Sequence, residues 1–278
     1  MTYSCAMKIS DMFGIIGLTV KGLVKMMLQS RPVDWKGIKS ERDSIIVMGN
    51  GPSLAQSLAE HPEEFKTKPL LAVNFAANTK EFFELRPRYY LLADPVFFSR
   101  GTAGVEQLFH NFDAVKWPMI LFVPRGKKIV PRSEWIEVRE FNFVGIEGAK
   151  WLRNFAYDCK LGMPRPRNVL IPSIMAALWM GYKNVYITGA DHSWTKTLDV
   201  NERNEVVSVQ PHFYKDSDAE HQRVASVYKN IRLHELLLSF HIAFKAYFDV
   251  EAYARHIGAN VYNATPGSFI DAFPRKSL

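Results

Sequence analysis

The chain has 278 residues, 47% of them apolar and 23% charged, which are ordinary values for a globular protein with a sizeable core. It carries 35 basic and 28 acidic residues, and the resulting net charge of +7 suits an anionic ligand or an anionic surface. The two cysteines, Cys5 and Cys159, form no CxxC pair, so no zinc site or disulfide framework is readable and a reducing compartment is favoured.

Residues 12–28 form an apolar stretch that Lys21 and Lys25 interrupt. The stretch is too interrupted for a membrane span, which needs about 18 apolar residues, and it lacks the cleavage site of a signal peptide. It predicts a helix that either packs on the protein or lies on a membrane surface as a basic amphipathic helix. We therefore predict a helical extension over residues 1–40 and an α/β domain over residues 41–278.

Apolar strand patterns alternate with helical patterns along the rest of the chain. The predicted strands are 44–48, 70–74, 89–93, 118–123, 135–140, 184–188 and 260–262. The predicted helices are 53–60, 78–85, 105–112, 146–155, 171–180, 221–240 and 248–257. This alternation predicts a doubly wound, mostly parallel sheet of the Rossmann-like α/β class. Sheets of this class bind ligands beyond the carboxyl ends of their strands.

The strongest local pattern follows the first predicted strand, where Gly49-Asn50-Gly51-Pro52-Ser53 leads into a helix. Ser53 stands where a helix N-cap is expected. Backbone N–H groups and the positive end of the helix dipole then lie together, an arrangement that suits a phosphate. The segment has neither GxGxxG nor GxxxxGK[ST] spacing, so a plain tight turn is the competing interpretation.

Small and polar residues also follow four other predicted strands. They are Asn74, Asp94 before Pro95, Gly189-Ala190-Asp191-His192-Ser193, and the segment 263–268. Their recurrence at one edge of the sheet predicts a polar, nucleotide-sized site. Each position also has a local alternative. Asp94 is also a typical turn former, Asp191 a typical helix cap and His192 a typical solvated loop residue.

Residues 194–220 are polar with little periodicity, which predicts a lid over the strand ends. His212 lies in this segment, and an imidazole has a pKa suited to a general base. His241, between two predicted helices, is the second candidate base, although its pattern also fits a histidine on a helix face. The Asp216-Ser217-Asp218 segment follows no apolar strand, so we expect no bound metal. The basic residues form no stripe that would indicate nucleic-acid binding.

The chain from about residue 44 to 275 resembles the bacterial sialyltransferases of glycosyltransferase family 42 and the related domain named after the archaeal 6-hydroxymethylpterin diphosphokinase. The residues that carry the resemblance are Gly49-Asn50-Gly51-Pro52-Ser53-Leu54, Asn74, Asp94-Pro95, Gly181-Tyr182-Lys183-Asn184-Val185-Tyr186 and Gly189-Ala190-Asp191. The resemblance implies a GT-A-variant fold and a cytidine monophosphate (CMP) sugar held without a metal or other cofactor. It also implies a histidine base, His212 or His241, that acts on the acceptor hydroxyl. Asp191 is the third catalytic candidate, and by the resemblance it would bind the donor. The donor-binding residues that it implies are Gly49, Asn50, Gly51, Pro52, Ser53, Asn74, Asp94, Ser173, Gly189 and Ser193.

The sequence departs from the sialyltransferase pattern at three places, one of which is the base, since His241 fits the family's spacing to the last strand and His212 fits the lid. Asp94 stands where those enzymes carry an asparagine, and Ser193 with Trp194 replaces a tyrosine expected to stabilise the leaving phosphate. We predict transfer of a sugar, with a CMP-activated nonulosonate or related sugar favoured, to a surface-glycan or lipid-linked glycan acceptor. The expected location is the cytoplasm, at the inner face of a membrane that residues 12–28 would contact peripherally. The chain is also expected to form a homo-oligomer. The alternatives are an ATP- and magnesium-dependent diphosphokinase that uses Asp94 and Asp191, and a non-catalytic nucleotide-binding scaffold.

Overall fold

The computed structural model describes residues 9–99, 101–207 and 231–278. Its α-helices are α1 (Ile9–Gln29), α2 (Ser53–Glu60), α3 (Pro62–Thr67), α4 (Lys80–Leu85), α5 (Ala103–Asp113), α6 (Lys150–Asp158), α7 (Leu170–Trp179) and α8 (Leu233–His256). Its strands are β1 (Ser44–Met48), β2 (Leu70–Val73), β3 (Tyr89–Leu91), β4 (Met119–Pro124), β5 (Ile136–Phe141), β6 (Asn184–Thr188), β7 (Asp199–Val200), β8 (Val206–Val207) and β9 (Asn260–Asn263). Short 3-10 helices follow three of the strand ends, at Asn74–Asn78, Pro95–Phe98 and Ser193–Thr197.

The strands form one parallel sheet in the order β5-β4-β3-β2-β1-β6-β9, while β7 and β8 pair as a separate antiparallel hairpin. The chain first runs outward from β1 to β5 and then returns to place β6 on the other side of β1. The sequence prediction of a doubly wound α/β sheet is therefore confirmed. The reversal between β1 and β6 creates a topological switch point at the carboxyl ends of these strands.

The central strands are buried on both faces, as their continuous apolar runs predict. Ile45, Ile46 and Val47 of β1 have no exposed surface. One face of the sheet packs against α7 and α8, and the other packs against α2, α4 and α5. Helix α7 is buried along nearly its whole length, because helices and the sheet surround it. The two covered faces leave the strand ends as the open edge where a site can form.

The end of the predicted helical extension is part of the main core. The Trp35 ring stacks on Phe122 of β4 with 4.8 Å between the ring centroids, and its indole N–H donates to the carbonyl of Glu140 at 2.9 Å. Helix α1 packs beside α6, and the Thr19 hydroxyl accepts a hydrogen bond from the backbone N–H of Ala149 at 2.8 Å. Within the described residues, no helix is both long and apolar enough to cross a membrane.

Two sequence expectations about the carboxyl-terminal half are wrong in their details. The break expected between helices at residues 241–247 is absent, because Ala243, Ala246 and Tyr247 continue the buried face of α8. The segment 194–207, for which the sequence indicated no regular element, contains a 3-10 helix and the β7–β8 hairpin. Its Trp194 and Val206 pack with Phe240 of α8 in a small apolar cluster. The remainder of the predicted lid, residues 208–220, lies outside the described residues.

Candidate functional site

The loops after β1 and β6 contact each other directly at the switch point. The backbone N–H of Gly49 donates to the carbonyl of Thr188 at 2.8 Å, and that of Gly51 donates to the carbonyl of Gly189 at 2.8 Å. A Cβ atom at Gly49 would overlap the Gly189 carbonyl oxygen, so the close contact between these two loops requires glycine at position 49. Because these two N–H groups bind carbonyls of the protein, they are not donors to a ligand, which corrects part of the sequence expectation.

A hydrogen bond between Ser53 and Asp191 fastens the two loops together. The Ser53 hydroxyl donates to Asp191 Oδ2 at 2.8 Å. A Cβ atom at Gly51 would overlap the same carboxylate oxygen, so the side chain of Asp191 lies flat against the glycine. The structure thus brings together five of the predicted site residues, which are Gly49, Gly51, Ser53, Gly189 and Asp191.

Helix α2 begins at this junction without a side-chain cap. Its N-cap residue is Pro52 rather than Ser53, and no side chain accepts from the first turn. The expectation that Ser53 caps the helix is therefore wrong, because its hydroxyl is committed to Asp191. Within this first turn the N–H of Leu54 donates to the Gly51 carbonyl at 3.0 Å, and the positive end of the helix dipole faces the edge of the sheet.

Two asparagine side chains at the ends of β1 and β2 have unsatisfied oxygens. Asn50 Nδ2 donates to the carbonyl of Val73 at 3.2 Å, while Asn50 Oδ1 and Asn74 Oδ1 are buried atoms with no hydrogen-bond partner in the described part of the chain. Asn74 also has a φ of 51°, in the left-handed region, and its carbonyl accepts from the Tyr90 hydroxyl. Buried acceptors without partners are costly, so a ligand donor would satisfy them.

The environment of His192 is the clearest feature of the strand-end loops that the sequence interpretation missed. A solvated loop position was the local alternative for this residue, but His192 is only 8% exposed, with its ring stacked 4.2 Å from that of Trp194. His192 Nε2 lies 2.6 Å from the Tyr247 hydroxyl and 3.5 Å from Asn168 Nδ2. Burial lowers the pKa of His192 to about 3, so the imidazole is neutral at physiological pH. A backbone φ of 51° turns this residue inward, and no local sequence pattern signals that conformation.

The remaining predicted residues lie apart from this junction or have local partners. Asp94 is exposed, and its carboxylate accepts from the backbone N–H of Val96 at 2.9 Å, as the turn-former alternative predicts. Ser173 is fully buried within α7, and its hydroxyl donates to the carbonyl of Val169 at 2.7 Å. Ser193 opens the 3-10 helix after β6. His241 lies exposed in the middle of α8, whereas His212 lies outside the described residues.

Within the described ranges, no three His, Cys, Asp or Glu side chains are close enough to hold a metal ion. The Asp216-Ser217-Asp218 segment lies outside those ranges. The two aspartates that a magnesium-dependent reaction would use, Asp94 and Asp191, each have a local hydrogen-bond partner in Val96 or Ser53.

The seven-stranded parallel sheet with its switch point places the chain among doubly wound α/β proteins, a class that binds ligands at the strand ends. No protein-family model and no curated protein matches the sequence. Among solved structures, the MAf glycosyltransferase from Magnetospirillum magneticum AMB-1 is 12% identical with a TM-score of 0.49. It covers 95% of this chain, which spans only 38% of that protein.

Two structures described as a mammalian sialyltransferase also match the chain. One is 13% identical, with a TM-score of 0.33 and coverage of 81% of this chain and 85% of the other. The second, in complex with Gal-beta-1-3GalNAc-ortho-nitrophenol, is 15% identical, with a TM-score of 0.33 and coverage of 82% and 87%. Each of the three scores lies below 0.5.

Proposed function

We propose that the chain is a glycosyltransferase that moves a sugar from a nucleotide donor to a glycan acceptor. The observation that carries the proposal is the pair of buried, partnerless amide oxygens of Asn50 and Asn74 beside the glycine loop. Amide oxygens accept hydrogen bonds from the hydroxyls of a ribose or from the exocyclic amino group of cytosine. Two such acceptors at adjacent strand ends suit the nucleoside part of the donor.

The first turn of α2 would bind the phosphate of the donor. It lies directly after Gly49-Asn50-Gly51-Pro52 and carries no side-chain cap. A CMP leaving group carries one phosphate, and oriented N–H groups can stabilise its charge as the bond to the sugar breaks. This chemistry favours a CMP-activated sugar and a reaction without metal. Asp191 would act as a positioning residue, since it holds Ser53 and the glycine loop in place.

A general base would take the proton from the acceptor hydroxyl. His241 supports this role because it is exposed on α8, and His212 remains the second candidate. His192 does not suit the role, since burial holds its pKa near 3. We place the reaction in the cytoplasm at the inner face of a membrane, where α1 would bring the enzyme close to a lipid-linked glycan.

The donor proposal is tested by thermal unfolding with CMP, UDP, ADP and magnesium. A ligand that binds only the folded protein raises the melting temperature, by about 5 °C when CMP is present at a hundredfold excess over its dissociation constant. The variant Asn74→Gly keeps a left-handed backbone but removes the amide, so we expect it to lose most of this shift. Asn204→Gly is the matched control, because Asn204 has a φ of 57° in an exposed turn.

Other outcomes separate the alternative functions. Stabilisation that strictly requires ATP with magnesium contradicts sugar transfer and supports the diphosphokinase. Wild-type function in cells after simultaneous substitution of Asp94, Asp191, His212 and His241 supports a non-catalytic scaffold. An equal CMP shift in wild type and Asn74→Gly contradicts the role of the asparagine pair.

A further inference from the structure

A pocket of about 500 Å³ lies on α8 next to the loop that follows β6. It is lined by His241, Phe244, Lys245, Phe248, Phe269 and Asp271. Its volume is within the 300–1,000 Å³ that is usual for small-molecule sites. The pocket has no role in the donor site described above, whose residues follow β1, β2 and β6.

The pocket adjoins the candidate donor site through two contacts. The backbone N–H of Phe269 donates to the carbonyl of Asp191 at 2.9 Å. On the α8 side, the ring of Phe244 lies 6.1 Å from that of His192. Both neighbours, Asp191 and His192, belong to the loop that packs on the glycine turn. A group bound in the pocket would therefore lie beside the loop that carries Asp191 and His192.

The lining combines exposed aromatic rings with a few polar groups. Phe248 is 49% exposed and Phe269 is 37% exposed, although Lys196 Nζ already lies 5.0 Å from the centre of the Phe269 ring. Phe248 is therefore the better platform for stacking. Asp271 can accept hydrogen bonds, and Lys245 can donate them.

This combination matches the chemistry of a sugar ring. One face of a pyranose carries C–H groups that pack on an aromatic ring, while its hydroxyls both donate and accept hydrogen bonds. An anionic ligand alone is disfavoured, because Asp271 lies in the same lining as Lys245. An apolar ligand would form no hydrogen bond with either of these two groups.

We propose that this pocket binds a pyranose unit of the acceptor glycan. The proposal rests on the proposed glycosyl transfer and adds the location of the acceptor. The sugar stacks on Phe248, and Asp271 accepts hydrogen bonds from its hydroxyls. His241 lines the pocket that would hold the acceptor, so it is the residue that we propose receives the proton. In that step the acceptor oxygen forms the bond to the sugar, its proton passes to the imidazole, and CMP leaves with the bonding electron pair.

The test is saturation-transfer NMR with methyl β-galactoside and methyl β-N-acetylglucosaminide, in the presence of CMP. We expect at least one glycoside to bind the wild type. Phe248→Ala should weaken binding about fivefold through lost stacking, and Asp271→Asn about tenfold through a lost charged acceptor. Phe155→Ala is the matched control, since Phe155 is a 51% exposed ring on α6.

The proposal is overturned if neither glycoside binds the wild type, or if both pocket variants bind as the wild type does. CMP binding is measured in the same samples by thermal shift. Glycoside binding without CMP binding would contradict the donor proposal and leave the pocket supported. CMP binding without glycoside binding would reject the pocket alone.

Discussion

His192 shows how burial decides the chemistry of a single residue in this protein. A histidine between an aspartate and a serine in a loop is typical of a solvated position, and its ordinary pKa is near 6.5. The left-handed backbone instead places the ring among Trp194, Tyr247 and Asn168. The unfavourable transfer of a charge into this apolar surrounding holds the imidazole neutral and suits it to position neighbouring groups rather than to exchange protons.

The buried imidazole makes the stability of the protein depend on pH. Below about pH 6.5 the unfolded chain takes up a proton at His192, whereas the folded chain does so only near pH 3. The free energy of unfolding should therefore fall as the pH decreases between these values, by up to about 1.4 kcal/mol per pH unit from this residue. Urea unfolding at pH 7 and pH 5 measures the slope.

His192→Gln should reduce the dependence of the free energy of unfolding on pH by the equivalent of one proton. Tyr247→Phe is the control, because it keeps the burial that lowers the histidine pKa and should keep the slope. An unchanged slope in His192→Gln would contradict a neutral buried imidazole.

The contact between Gly51 and Asp191 predicts a second effect at the scale of residues. In Gly51→Ala the added carbon would overlap Asp191 Oδ2 and would lie 2.7 Å from the Gly189 carbonyl oxygen. We expect a loss of about 1–3 kcal/mol in the free energy of unfolding and loss of the CMP-induced shift. Gly17→Ala is the control, since a Cβ there meets nothing within 4 Å and favours the helix by about 1 kcal/mol.

A double-mutant cycle isolates the part of this loss that involves the carboxylate. Asp191→Ala removes the overlapping oxygen but leaves the Gly189 carbonyl, so Gly51→Ala should cost less in that background. Equal costs in both backgrounds would show that the overlap with Asp191 does not decide the effect.

Helix α1 has apolar residues on two faces, a feature that concerns the element as a whole. Leu23 and Met26 pack against the core, while Phe13, Val20 and Met27 are 66%, 56% and 65% exposed. The exposed three are spaced seven residues apart and so lie along one stripe of the helix. A helix packed on the protein and a helix on a membrane surface were alternatives in the sequence, and the structure confirms the packing while leaving this outer stripe uncovered within the described residues.

We expect the outer stripe to bind anionic vesicles, with the exposed Lys21 next to Val20 attracting the lipid headgroups. Co-sedimentation with phosphatidylcholine vesicles, with and without phosphatidylglycerol, measures this binding. Val20→Glu should abolish most of it, and Lys21→Glu should weaken it at least fivefold. Val130→Glu is the control, because Val130 is 90% exposed in a loop. A concentration-dependent dimer that Val20→Glu dissociates, without any vesicle binding, would assign the stripe to a second copy of the chain.

At the scale of the whole molecule, the junction between the loops after β1 and β6 depends on the order of the strands in the sheet. Ser53 and Asp191 are 138 positions apart along the chain, and their hydrogen bond exists because β6 returns to pair with β1. The pocket on α8 reaches the same edge because the segment after β9 places Phe269 against Asp191. One junction therefore joins the proposed donor and acceptor sites.

The sequence by itself determined the sheet, the bounds of β1 and β6, and the position of the glycine turn. These features follow from local apolar runs and small residues, whose conformational preferences act over a few positions. Only the tertiary structure decided that Ser53 bonds Asp191 instead of capping α2, that Asn50 and Asn74 keep unsatisfied oxygens, and that His192 is buried. Hydrogen-bond partners and burial are set by residues distant in the chain, and no local pattern contains that information.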